Sequence, residues 1–115
     1  AKISKEIDVF YAIQDSTLVT YFKNLSEKMN EQKIPIIGSN EVFTNLGGLI
    51  SQGTTDYQIG YRAGEMAVEI LKNGKKPSDI KIESVQMPTI SINKANMELL
   101  GIKLPESVLS KAKIK

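Results

Sequence analysis

Two short apolar runs, separated by one amphipathic stretch, constrain the fold more than any other feature. Val9-Phe10-Tyr11-Ala12-Ile13 and Ile34-Pro35-Ile36-Ile37 are each bounded by polar residues or glycine. Runs of this length fit buried strands. Between them, Leu18, Phe22, Leu25 and Met29 recur at spacings of four, three and four, while Lys23, Asn24, Glu27, Lys28 and Glu31 fall on other faces. That pattern predicts an amphipathic helix over 18–32. Strand, helix, strand at this spacing is a βαβ unit, with parallel strands and a right-handed crossover.

The rest of the chain extends the same alternation. Residues 1–7 read as the end of a helix, with Ile3 and Ile7 four apart. Ser39-Asn40-Glu41 opens a short helical turn that Gly47-Gly48 closes, and Leu49 to Gln52 reads as a third strand. Tyr57 to Asn73 is the clearest helix, with Ile59, Ala63, Met66 and Ile70 on one face and Gly74 as its stop. Gly60 and Gly64 lower helix propensity, so they are expected to permit close packing on the sheet. Ile80 to Ile92 alternates loosely until Pro88 breaks it, which predicts two extended pieces on a sheet edge. Asn93 to Leu100 is a short helix ended by Gly101, and Pro105 precedes a last helical stretch over Glu106 to Lys113. The expected fold class is therefore α/β, an open parallel sheet with flanking helices.

Composition removes several chemistries. The 115 residues include no His and no Cys. His- or Cys-based zinc sites, iron–sulfur clusters, thiol chemistry and His-based triads therefore have no ligands or bases here. No metal, cofactor or catalytic residue is expected. A net charge of +2 gives no argument for nucleic acid. Neither G-x-G-x-x-G nor G-x-x-x-x-G-K-[ST] occurs.

Open parallel α/β sheets bind ligands at the carboxyl ends of their strands. Those ends here are Gln14–Thr17, Gly38–Glu41 and Gly53–Tyr57. Asp15, Ser16 and Thr17 put a carboxylate and two hydroxyls at a helix start. They serve either as caps or as contacts to a ligand, the hydroxyls and N–H groups suiting an anion and Asp15 an ammonium. Asn40 and Glu41 repeat that choice in the second loop. Asp56 is a natural N-cap, and Tyr57 either covers the sheet edge or forms an aromatic wall beside the carboxylate.

Several segments together resemble a known family. Asp8 to Thr17 resembles the D-A-I-Y-x-P-T-D-N-T stretch of bacterial ABC-importer substrate-binding proteins, nearest the tryptophan and tyrosine subgroup. Ile34 to Gly38 is similar to its I-P-V-[IF]-G strand, and Tyr57 to Ala67 to its Y-x-x-L-G-x-x-[TA]-[GA]-x-M-A helix. Ile70 to Pro77, Ile92-Asn93-Lys94 and Leu100 to Pro105 resemble the segments that close such chains.

The resemblance implies a two-lobed type I periplasmic-binding-protein fold, of which residues 1–115 are a C-terminal part lacking the N-terminal part of the same protein. It implies residues 1–37 and 91–115 in one lobe and 40–84 in the other. It implies a small-molecule ligand, an amino acid or similar zwitterion, held between lobes and delivered to an ABC permease by an extracytoplasmic protein, either periplasmic or a lipoprotein. Residue by residue, Asp15 falls on the motif's Asp, Ser16 on its Asn and Thr17 on its Thr, while Gln14 replaces a Thr. Asn40 falls where many members carry Glu, Thr55 on an Asp or Asn, and Asp56 on a Tyr. Two alternatives stand beside this one: the effector domain of a transcription regulator, and a small flavodoxin-like α/β domain.

Overall fold

The computed structural model of the chain describes residues 6–84 and 88–115. Two compact units divide it, unit 1 comprising Ala1–Gly53 with Thr89–Lys115 and unit 2 comprising Thr54–Pro88.

Unit 1 is a five-stranded sheet with helices. Its strands are β1 (Phe10–Ala12), β2 (Ile36–Gly38), β3 (Ile50–Gly53), β4 (Thr89–Ile92) and β5 (Ala112–Ile114), in that spatial order. β1, β2 and β3 run parallel, as the βαβ pattern predicts, and β4 pairs parallel with β5. β3 and β4 are antiparallel, with Ser51 opposite Ser91 and Gln52 opposite Ile90. The sheet is thus mostly parallel.

The first helix, α1 (Ser16–Glu31), forms where the apolar spacing places it, and α2 (Glu41–Asn45) is the short turn expected after β2. Phe22 of α1 and Phe43 of α2 pack with Ala12 and Ile36 into a buried cluster flanked by Phe10, Leu18, Leu25 and Met29. The opposite face of the first two strands carries Tyr11 and Ile37, both exposed, with exposed Val9 and Ile13 alongside. The first run is therefore half buried, not fully buried, because helices cover one face only.

A helix C-terminus leaves its last carbonyls without partners. Side chains of unit 1 supply them for α2. Ser26 Oγ donates to the Leu46 carbonyl at 2.7 Å, Asn93 Nδ2 to that of Thr44 at 3.1 Å, and Asn30 Nδ2 to that of Gly47 at 3.1 Å, where Asn96 Nδ2 also donates. These bonds anchor α2 at one end and so fix Asn40 at the other.

Unit 2 contains α3 (Asp56–Leu71) and a 3-10 turn at Pro77–Asp79. None of α3's residues is buried. A Cβ built at Gly60 or Gly64 meets no described atom within 4 Å. Asp56 is not the N-cap. Thr55 is, because Thr55 Oγ1 accepts the Gln58 N–H at 3.2 Å while Gln58 Oε1 accepts the Thr55 N–H at 3.0 Å. That reciprocal pair satisfies two orphan donors and outcompetes a single Asp.

Other expectations change at the ends. Residues 6–8 are not helical, and Ala1–Lys5 lie outside the described residues. Of the run from Ile80 to Ile92, Ile80–Ser84 forms no strand and Val85–Met87 lie outside the described residues. β4 is interior, between β3 and β5, and not an edge. The last helical stretch is short, α5 (Glu106–Leu109), and its tail becomes β5. α4 (Lys94–Leu100) ends at Gly101, whose φ of 68° is left-handed.

Candidate functional site

The carboxyl ends of β1 and β2 gather polar groups in unit 1. The Asp15 carboxylate accepts the Leu18 N–H at 2.8 Å through Oδ1 and is exposed. It is therefore a cap and an accessible anion at once. Ser16 and Thr17 begin α1 and are exposed, and the Ser16 carbonyl accepts the Thr20 hydroxyl at 2.8 Å. The Ser39 N–H donates to the Ala12 carbonyl at 2.9 Å, which ties the second loop to the end of β1.

Asn40 is 6% exposed and caps α2, its Oδ1 accepting the Val42 N–H at 3.1 Å. Its Nδ2 donates to Gln14 Oε1 at 3.3 Å. Ser39 Oγ is buried and has no partner among the described residues. Gly53 closes the third strand beside this turn. A Cβ there would lie 1.9 Å from the Ser39 carbonyl oxygen, so only glycine lets β3 approach so closely.

Glu41 begins α2 and pairs with Lys115. Its carboxylate accepts from the Lys115 ammonium, which also donates to Asn45 Oδ1 at 2.8 Å. The Lys115 hydrogen bond, opposed by partial burial, holds the Glu41 carboxyl below the usual range.

Asp56 and Tyr57 belong to unit 2. Asp56 is exposed in the first turn of α3, and Tyr57 is 77% exposed and stacks on Tyr61, with centroids 6.1 Å apart. A groove of about 550 Å³ runs along this face, lined by Tyr57, Ile59, Tyr61, Met66, Arg62 and Glu83. Arg62 grips Glu83 through Nε and Nη2, both at 2.6 Å, and Glu83 holds Arg62 protonated well above its ordinary range. The groove's Tyr61, Arg62 and Glu83 are absent from the sequence-based site. The spacing of Tyr61 and Arg62 on α3 is legible in the sequence, but not the fold-back that brings Glu83 to Arg62.

Among the described residues no three His, Cys, Asp or Glu side chains form a metal site. Residues 1–115 match the model for ABC transporter substrate binding proteins. The chain belongs to that family.

Relatives agree with the assignment. A tyrosine-binding protein of Clostridioides difficile (strain R20291) is 36% identical over 97 residues, 84% of this chain and 28% of its own length. A Streptococcus pneumonia ABC domain in complex with L-Trp superposes with a TM-score of 0.84 at 30% identity, over 98% of this chain and 38% of that one. A ligand-free, open substrate binding protein with adhesive properties from Clostridium difficile gives 0.77 at 29% identity, over 99% and 38%. The chain thus spans well under half of each of these relatives.

Proposed function

We propose that the protein carrying this chain is the solute-binding component of an ABC importer and that its solute is an L-α-amino acid of the tyrosine and tryptophan class. One observation carries the reading. Asp15, an exposed carboxylate, stands beside the Gln14–Asn40 amide pair at the carboxyl ends of two parallel strands. An anionic acceptor beside amide groups suits a zwitterion. A tyrosine-binding relative and a relative in complex with L-Trp point to the same class.

In this reading Asp15 takes the ammonium, with Ser16, Thr17, Asn40, Glu41, Asp56 and Tyr57 as further contacts. The whole protein closes two lobes on the solute and presents the closed form to a membrane permease outside the cytoplasm. Coupling is conformational, and no bond is made or broken. We place residues 40–53 in the lobe of residues 1–39, a division that the β2–β3 pairing supports. The exposed Tyr11, Ile13 and Ile37 are covered by the remainder of the protein, since parallel sheets are normally buried on both faces.

The test is to purify the full-length protein without added solute, denature it and identify what is released by mass spectrometry. A stoichiometric amino acid is the expected result. A stoichiometric nucleotide or flavin overturns the reading.

A further inference from the structure

Asn40 has a fixed orientation. Its Oδ1 must face the Val42 N–H, which needs an acceptor at the start of α2, and so its Nδ2 must face Gln14. This bond engages Gln14 Oε1 as acceptor, and Nε2 is the donor end of the same amide. Gln14 is itself exposed and precedes Asp15.

We infer that the Val42–Asn40–Gln14 relay sets the polarity of the solute site, engaging Gln14 Oε1 and leaving Gln14 to offer its Nε2 donor beside the acceptor-only Asp15. The inference deepens the amino-acid reading above and rests on it. A donor next to an anionic acceptor matches a solute with a free carboxylate beside its ammonium. It discriminates against the corresponding carboxamide, whose neutral oxygen is the weaker acceptor and whose NH₂ meets a donor. Gln14 is thus a specificity-determining residue, and Asn40, besides its own contact, positions it.

The relay makes an unusual demand of one substitution. Asn40→Asp keeps a good N-cap for α2, because either carboxylate oxygen accepts the Val42 N–H. The remaining oxygen accepts and cannot donate. Gln14 then reverses, gives Nε2 to residue 40 and offers Oε1 to the solute. The added charge at position 40 also repels a carboxylate, so the single variant is not decisive. The decisive measurement is whether its effect passes through Gln14.

The experiment is a double-mutant cycle in the full-length protein. Affinities for L-tyrosine and L-tyrosinamide are measured by calorimetry for the parent, Asn40→Asp, Gln14→Met and the double variant, each checked for an unchanged unfolding midpoint. The parent is expected to prefer the free acid. Asn40→Asp is expected to cut the acid-to-amide ratio about tenfold or more, the worth of one charge-assisted hydrogen bond. Gln14→Met is expected to lower the ratio, and Asn40→Asp to have a smaller effect in that background, where only its added charge and its own contact count. An equal shift with and without Gln14, or none in either, overturns the relay while leaving amino-acid binding intact. Failure of the parent to bind either the acid or the amide overturns the reading beneath it and the relay together.

Discussion

Phe22 on α1 and Phe43 on α2 meet with ring centroids 4.8 Å apart and planes tilted by 55°, and both are fully buried. The pair locks the helix that Asp15 caps to the helix that Asn40 caps. Truncating a buried Phe costs about 3–5 kcal/mol. Phe43→Ala is expected to lower the unfolding free energy of the full-length protein by that margin. A change below about 1 kcal/mol, measured by urea unfolding, would show that α2 is not held through this contact.

Asp15 has two roles that a suitable substitution separates. Serine is also a good N-cap, whereas alanine is not. Asp15→Ser is expected to keep stability within about 0.5 kcal/mol, while Asp15→Ala loses about 1 kcal/mol. Both are expected to weaken binding of an amine-bearing solute by about 1.5–3 kcal/mol, because both remove the charge. Calorimetry and thermal unfolding on the two variants read the roles apart. Retained affinity in Asp15→Ser would remove the carboxylate from the site.

Gly53 abuts the Ser39 carbonyl where β3 passes the second loop. The obstacle is backbone, so it cannot rotate aside as a side chain does. Gly53→Ala is expected to shift the Ser39–Asn40 turn and cost about 1–3 kcal/mol, the usual range for overpacking. Gly60→Ala, on the open side of α3, is expected to be neutral or stabilising in the segment itself, since alanine is the better helix former. Comparing their unfolding midpoints tests both statements.

Acid should weaken unit 1 through Glu41. Its carboxyl is held below the ordinary value mainly by the Lys115 hydrogen bond. A carboxyl depressed in the folded state contributes stability above its unfolded value, near 4.3, and loses it as pH falls through the folded value. The contribution is therefore full at neutral pH and fades in the acid range below about pH 4.3. Lys115→Ala is expected to raise the Glu41 titration midpoint toward the ordinary value, read by carbonyl NMR. An unmoved midpoint would contradict the pairing.

What was legible in the sequence was local. Leu18, Phe22, Leu25 and Met29 repeat every three or four residues, and α1 follows from that spacing alone. Asn40 and Asn93 precede short apolar helices and cap them as such residues do. Thr55 and Gln58 form a capping box whose T-x-x-Q pattern was readable, but Asp56 drew attention as the stronger single cap. β5 was hidden because Ala112-Lys113-Ile114 has no period of its own, and its identity comes from pairing with Ile90, Ser91 and Ile92, each 22 residues earlier. The same holds for the antiparallel direction of β4, which only long-range pairing sets. Periodicity showed that α3 has an apolar face, but it carries no record of what covers that face. At the site, Asp15 and Asn40 were found by position at strand ends. The Gln14–Asn40 bond was not, because it joins residues 26 apart in sequence.

The central claim is that Asp15 and its neighbours hold a free amino acid. The most direct measurement is calorimetric titration of L-tyrosine and L-tryptophan into the full-length protein, stripped of solute by unfolding and refolding, alongside its Asp15→Ser variant. The account predicts saturable one-to-one binding of at least one of them, weakened at least tenfold in the variant at equal stability. Binding that is unchanged in Asp15→Ser, or a folded protein that takes up neither amino acid, would contradict it.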